Sequence, residues 1–270
     1  VADMNQSGQA IEVEELYENL GLYMIPYGRN RIDIDVPKVQ RLQPESTGIK
    51  MMLDILHRSR IEFPGMGMGF LKRMLDEALA HCRERFVGGK RLMEYDQVKK
   101  RVSRLQAWYT ACSAMCTYTS EMAQIDKNMA AHSVSANAIK SVVTDLMQDA
   151  SQSLLQLTGA KGYRLDHIAG RSTVDSRPFQ IFEGSNDILY QQISEAVLKK
   201  MRRMKENNLY QYLKEYKLTA RAADRFKDSL NFEVDLQMPQ RKLVELGRML
   251  GRIITMELTI EMGDRGFRSD

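Results

Sequence analysis

Hydrophobic positions follow two different rhythms along the chain. In residues 31–36 they alternate, with Ile32, Ile34 and Val36 on one side, the two-residue period of a half-buried strand. Residues 21–25 supply a candidate partner strand. Pro26, Pro37 and Pro44 keep this stretch from forming a long helix, so residues 1–47 read as the tail of a β-structure and a linker.

From residue 48 the spacing changes to threes and fours. Phe70, Leu71, Met74, Leu75, Ala78, Leu79 and Cys82 predict a helix over about residues 69–85, stopped by Gly88-Gly89. A second stripe runs from Val98 to Met122 through Val102, Leu105, Tyr109, Cys112 and Met115, and a third from Val134 to Leu157 through Ala138, Val142, Leu146, Ala150 and Leu154. Helices of that length suit an antiparallel bundle. A Gly-, Arg- and Asp-rich loop over residues 159–186 precedes a fourth helix carrying Ile188, Gln192 or Ile193, Ala196 or Val197, and Met201. Residues 209–230 and 239–262 supply two further helical patterns, the latter opening on Pro239, where proline suits a first turn. The expected architecture is mainly α: a β remnant and linker at 1–47, a four-helix up-and-down bundle at 48–194, and a helical extension at 195–270.

Composition narrows the class without naming a reaction. The 270 residues are 43% hydrophobic and 27% charged, which fits a globular chain and neither a disordered nor a collagen-like one. No window approaches the roughly 18 uninterrupted apolar residues of a membrane span, and no apolar stretch after a basic start resembles a signal peptide. The cytosol or an organelle matrix is the expected compartment. Basic side chains outnumber acidic ones by 39 to 35, too small a surplus to predict a nucleic-acid partner. Cys82, Cys112 and Cys116 form no disulfide or zinc-ribbon pattern, and His57 and His167 lack a second ligand at metal spacing, so no metal is expected. Met66, Met68, Met74 and Met93, among 18 methionines, read as filling between helices. The first residue is Val1, and the opening segment reads as the middle of a longer chain.

The chemistry concentrates in Asp175-Ser-Arg177-Pro-Phe-Gln-Ile-Phe182-Glu183-Gly184-Ser185-Asn186-Asp187-Ile188, and in Gln156-Leu-Thr-Gly159-Ala160-Lys161-Gly162-Tyr163, which begins 27 residues before the glutamate. At that interval the two motifs resemble the C-terminal signature of the acyl-CoA dehydrogenases. Leu75-Asp-Glu-Ala78 followed by Arg85 is a weaker third match, Arg60 falls where the family has an arginine near the acyl-CoA site, and residues 32–37 resemble the end of its middle β-domain. The resemblance covers about residues 20–194.

The resemblance implies a flavoenzyme cut down to its C-terminal bundle, with FAD lying between β-domain and bundle and its adenosine end reaching a second subunit. Glu183 would be the base that removes the α-proton of an acyl-CoA thioester. Arg60, Phe182 and Gly184 would line the substrate, and Arg85, Gln156, Gly159, Ala160, Ser185 and Asp187 the cofactor. A carboxylate in water is a weak base for such a proton, so the site must desolvate it and stabilise the enolate oxygen, here with the Glu183 N–H that Gly184 lets turn inwards. Electrons would pass to an electron-transfer flavoprotein, and the assembly would be a homodimer or homotetramer. For the fragment alone, an oligomer with weak FAD affinity is expected.

Some positions depart from the pattern. Ala160 replaces a glycine, Ser185 a threonine, Gly88 an aromatic and Asp96 a glutamine, which puts the adenine end of the pocket in question. Ser185 and Asn186 also suit plain helix capping, and Arg85 a helix C-terminus. The basic run Lys199-Lys200-Met-Arg202-Arg203-Met-Lys205 reads as a solvated face; a membrane surface is its less ordinary use. Two other functions stay open: a flavin oxidase or monooxygenase on the same scaffold, and a non-catalytic helical assembly module.

Overall fold

A computed structural model describes residues 2–5 and 8–267 of the chain, so Val1 lies outside the described residues. Strand β1 (Gln9–Leu16) pairs antiparallel with β2 (Gly28–Ile34), placing Ile11 opposite Ile32. The partner of β2 is therefore residues 9–16, and residues 21–25, expected to be a strand, belong to the connection between the two. The alternation was legible but its burial was not. Ile11, Val13, Ile32 and Ile34 share one face of the ribbon and all are exposed, because two strands without a second layer have nothing to bury that face against. The connection is tied to the helical body, where the Leu22 N–H donates to Asp175 Oδ1 at 2.7 Å and the Arg171 guanidinium lies 4.1 Å from the centre of the Tyr23 ring.

Helix α1 (Gly48–Glu84) starts some twenty residues earlier than its apolar stripe suggests. Its first turn is capped by Thr47, whose Oγ1 accepts the Lys50 N–H at 3.2 Å. Pro64 lies inside the helix, and the buried positions around it include His57 and Arg60, so the early half carries no clean apolar period. The carbonyl of Pro64 instead accepts the thiol of Cys112, at 3.4 Å. Helix α2 (Asp96–Met122) returns along α1 after a short hairpin of β3 (Phe86–Val87) and β4 (Lys90–Arg91), and α3 (Ser133–Thr158) follows. Both match the second and third stripes.

The expected loop over 159–186 contains α4 (Ile168–Asp175), flanked by 3-10 turns at Gly159–Tyr163 and Arg177–Gln180. His167 caps α4, its Nδ1 accepting the Ala169 N–H. Helix α5 (Asn186–Met204) runs unbroken through residue 194. The pattern over 209–230 is not one helix but three short ones, α6 (Leu209–Leu213), α7 (Ala220–Arg225) and α8 (Lys227–Leu230). The buried Thr219 hydroxyl, which donates towards the carbonyls of Leu213 and Tyr216, competes with a continuous ladder there.

Helix α9 (Gln240–Asp264) packs on α2, α3 and α5 and buries Leu246, Leu250, Ile253, Ile254, Leu258 and Met262 in the same core as Leu71, Leu105 and Met147. Gly247 lets it approach, because a Cβ there would lie 1.9 Å from the carbonyl oxygen of Tyr190 on α5. Glu257, buried on α9, accepts from Arg221 Nε at 2.7 Å and from the Ala222 N–H at 2.8 Å, anchoring α7. Met201 is buried in this core while Met204 is exposed, so the two methionines of the basic run do not form a shared free face. Among the described residues no helix is long and apolar enough to cross a membrane.

Candidate active site

The turn between the Arg177–Gln180 segment and α5 carries Glu183, and its backbone is unusual. Glu183 has φ +59° and Gly184 φ +91°, so two successive residues occupy the left-handed region, which glycine enters freely and glutamate does not. A side chain at Gly184 would also crowd Leu189 and the Arg60 guanidinium, at 3.0 and 3.2 Å. Glu183 is half-buried, and its Oε2 is a buried oxygen with no hydrogen-bond partner. Such an atom is costly unless a ligand or function compensates.

Around this turn α1, α3 and α5 contribute polar groups from an otherwise apolar interior. From α1, Arg60 donates from Nε to the Glu183 carbonyl at 2.9 Å and from Nη1 to Asn137 Oδ1 at 2.8 Å. Burial holds the Arg60 guanidinium below its ordinary pKa, with Glu183 opposing. From α3, Lys140 donates from Nζ to the Gly184 carbonyl and to Asn186 Oδ1, both at 2.9 Å. Its desolvation, together with the positive charge of Arg60, brings the ammonium down to about 8, against the pull of Asp145 and Glu183. From α5, Asn186 donates to the Ser141 carbonyl and to Asp145 Oδ1, while the Tyr190 hydroxyl donates to Asp145 Oδ2 at 2.8 Å. An aromatic cluster closes one side: Phe182 lies 5.2 Å from Phe179 and 6.2 Å from Phe63, centre to centre.

The residues expected to bind separate into two groups. Arg60, Phe182, Glu183, Gly184 and Ser185 converge. The Ser185 hydroxyl makes no capping hydrogen bond to α5, which leaves it available to a ligand. Asp187, one position further, is met by Arg248 of α9 at 3.3 Å. Arg85, Gln156, Gly159 and Ala160 gather elsewhere, exposed where α1 and α3 end. On α1, Arg85 is 25 residues beyond Arg60, about 37 Å at 1.5 Å per residue. The two groups therefore cannot grip one end of a single small molecule.

Gly88, where an aromatic was expected, has φ +61°, and a Cβ there would lie 2.7 Å from the Tyr95 hydroxyl. That hydroxyl donates to the Val87 carbonyl at 2.8 Å. Asp175 and His57 have structural partners: Asp175 receives Leu22 and Arg171, and His57 Nδ1 lies 2.8 Å from the Met129 carbonyl oxygen.

Sequence reasoning missed Asn137, Lys140 and Asp145. A signal for the first two was present, since residues 134–144 are buried on every side of α3 and a lone lysine in such a run needs an internal partner.

Comparisons with known proteins identify the family. The family model for the acyl-CoA dehydrogenase C-terminal domain matches residues 46–198, more than half of the chain. The chain belongs to the acyl-CoA dehydrogenase family. A probable acyl-CoA dehydrogenase of Mycobacterium tuberculosis, FadE10, is 29% identical over 191 residues, covering 66% of this chain and 29% of its own length. The caffeyl-CoA reductase–Etf complex subunit CarC of Acetobacterium woodii is 24% identical over 168 residues, covering 62% of this chain and 44% of its own. In structure, butyryl-CoA dehydrogenase from Megasphaera elsdenii superposes with a TM-score of 0.62 at 20% identity, over 71% of this chain and 49% of that one. The chain thus spans less than half the length of these relatives, and residues 199–270 lie beyond the family match.

Proposed function

We propose that the chain is the C-terminal part of a flavin-dependent acyl-CoA dehydrogenase, with Glu183 as the base in α,β-dehydrogenation of an acyl-CoA thioester. The observation that carries the reading is the Glu183 carboxylate itself. It has a buried oxygen with no internal partner, and it stands on a left-handed turn beside an aromatic wall. The carboxylate takes the proton from the carbon next to the thioester. Phe182, the residue before it, packs with Phe179 and Phe63 as the aromatic wall beside the turn. Bound FAD supplies the acceptor for the hydride that leaves the neighbouring carbon, chemistry beyond any side chain.

The residues fit that cofactor in two places. Ser185 offers an uncommitted hydroxyl at the start of α5, a helix end that favours phosphate. Arg85, Gln156, Gly159 and Ala160 offer a cation and open backbone at the far end of α1 and α3. Their distance from Glu183 supports an assembly in which the second group serves the flavin of a neighbouring subunit, in a homodimer or homotetramer. Transfer of electrons to an electron-transfer flavoprotein is supported by the similarity to CarC, named as a subunit of an Etf complex.

The test uses the full-length protein of which this chain is part. Glu183→Gln should retain the yellow flavin and lose at least about a thousandfold in turnover, the upper range for removal of a general base. Near-normal turnover of an acyl-CoA would remove Glu183 from the role. Peroxide release under air in place of dye reduction would move the reading to an oxidase.

A further inference from the structure

Lys140 is fully buried on α3, and among the described residues no carboxylate forms an ion pair with it. An ammonium in that position costs desolvation that a methionine of similar length would not. Its donors go to the backbone of the Glu183 turn and the residue that opens α5: the Gly184 carbonyl and Asn186 Oδ1, each at 2.9 Å. Asn186 is in turn held by the Ser141 carbonyl, Thr144 and Asp145, so the lysine meets a fixed acceptor.

The preceding carbonyl, that of Glu183, is taken by Arg60 from α1 at 2.9 Å. Two consecutive carbonyls of one turn are thus captured by two buried cations from two different helices. The residues that carry these carbonyls are those with φ +59° and +91°. A glutamate in the left-handed region stays there only when its surroundings over-determine it.

We propose that Lys140 is a positioning residue for proton abstraction: by holding the Gly184 carbonyl it fixes the left-handed turn and so aims the Glu183 carboxylate at the substrate. This rests on Glu183 being the base. Lys140 touches neither substrate nor flavin, and its influence passes through the backbone of residues 183–186.

The experiment is Lys140→Met in the full-length protein, read in two ways. In the flavin-free form, amide hydrogen exchange over residues 182–186 should accelerate at least about tenfold, as expected when a charged hydrogen bond is lost locally, with α2 and α9 unchanged. In the flavin-loaded form, kcat should fall roughly 100-fold, with KM within about threefold, the pattern of a misplaced catalytic group. Unchanged exchange at the turn overturns the proposal, and so does faster exchange spread equally through α2 and α9, which would mark a merely structural lysine. If the methionine variant does not fold, Lys140→Gln, which keeps one amide donor on a shorter arm, is judged by the same criteria. Glu183→Gln is assayed beside it. If Glu183→Gln is inactive while Lys140→Met turns over normally, the positioning role alone falls. If Glu183→Gln retains turnover, the base assignment falls, whatever the exchange at the turn.

Discussion

At residue 183 a glutamate occupies backbone space that costs a non-glycine residue about 1–3 kcal/mol, and the cost is met by the cations that hold its turn. Their burial makes one of them a pH-sensitive element of stability. Lys140 has a folded pKa lowered to about 8, whereas the unfolded chain holds that proton up to the ordinary value of 10.5. Between these values the unfolded state binds more protons, so this group's contribution to folding stability rises with pH. Below about 8 both states are charged and the full penalty applies. Denaturant unfolding of wild type and Lys140→Met at pH 7.5 and 10.5 should therefore show wild type gaining on the variant by up to about 3 kcal/mol across the interval. No gain would mean that the ammonium is less desolvated than its burial implies. The glutamate could be read from the sequence because a local motif surrounds it. The lone lysine of residues 134–144 hinted at an internal partner, but that the partner is the Glu183 turn could not be read, nor could the place of Asp145, since both lie more than thirty residues from Glu183 along the chain and meet its turn only through helix packing.

Among the elements, the long helices α2 and α3 were the most legible, because each carries a continuous apolar stripe along its length. The early half of α1 was hidden for the opposite reason. Its interior positions include His57 and Arg60, which satisfy polar partners inside the protein, and its proline sits mid-helix. The extension was legible as helix but not as core: α9 packs on α2, α3 and α5 instead of standing apart. That contact is tightest at Gly247. Gly247→Ala would drive a methyl group into the Tyr190 backbone of α5, and overpacking of this kind costs about 1–3 kcal/mol. A thermal midpoint lower by roughly 2–10 °C is expected for a chain of this size, and an unchanged midpoint would mean that α9 is free to shift.

For the whole molecule, the β-hairpin is the least self-sufficient part. Ile11, Val13, Ile32 and Ile34 expose one apolar strip that another sheet or another copy can cover. The 270-residue chain alone should therefore associate, and Ile11→Ser with Ile32→Ser should shift it towards monomer in light scattering; a monodisperse monomer before mutation would contradict this. The alternation of Ile32 and Ile34 was readable, whereas the partner strand that carries Ile11 and Val13 was not, and the exposure of all four depends on what lies beyond two strands. The separation along α1 of Arg85 from Arg60, which holds the Glu183 turn, carries a genetic consequence. In a dimer that shares its centres as proposed, an allele altered at Arg85 and one altered at Glu183 should complement: with random pairing half the dimers are hybrids, and each hybrid would rebuild one working centre from its two intact halves, restoring about a quarter of wild-type activity.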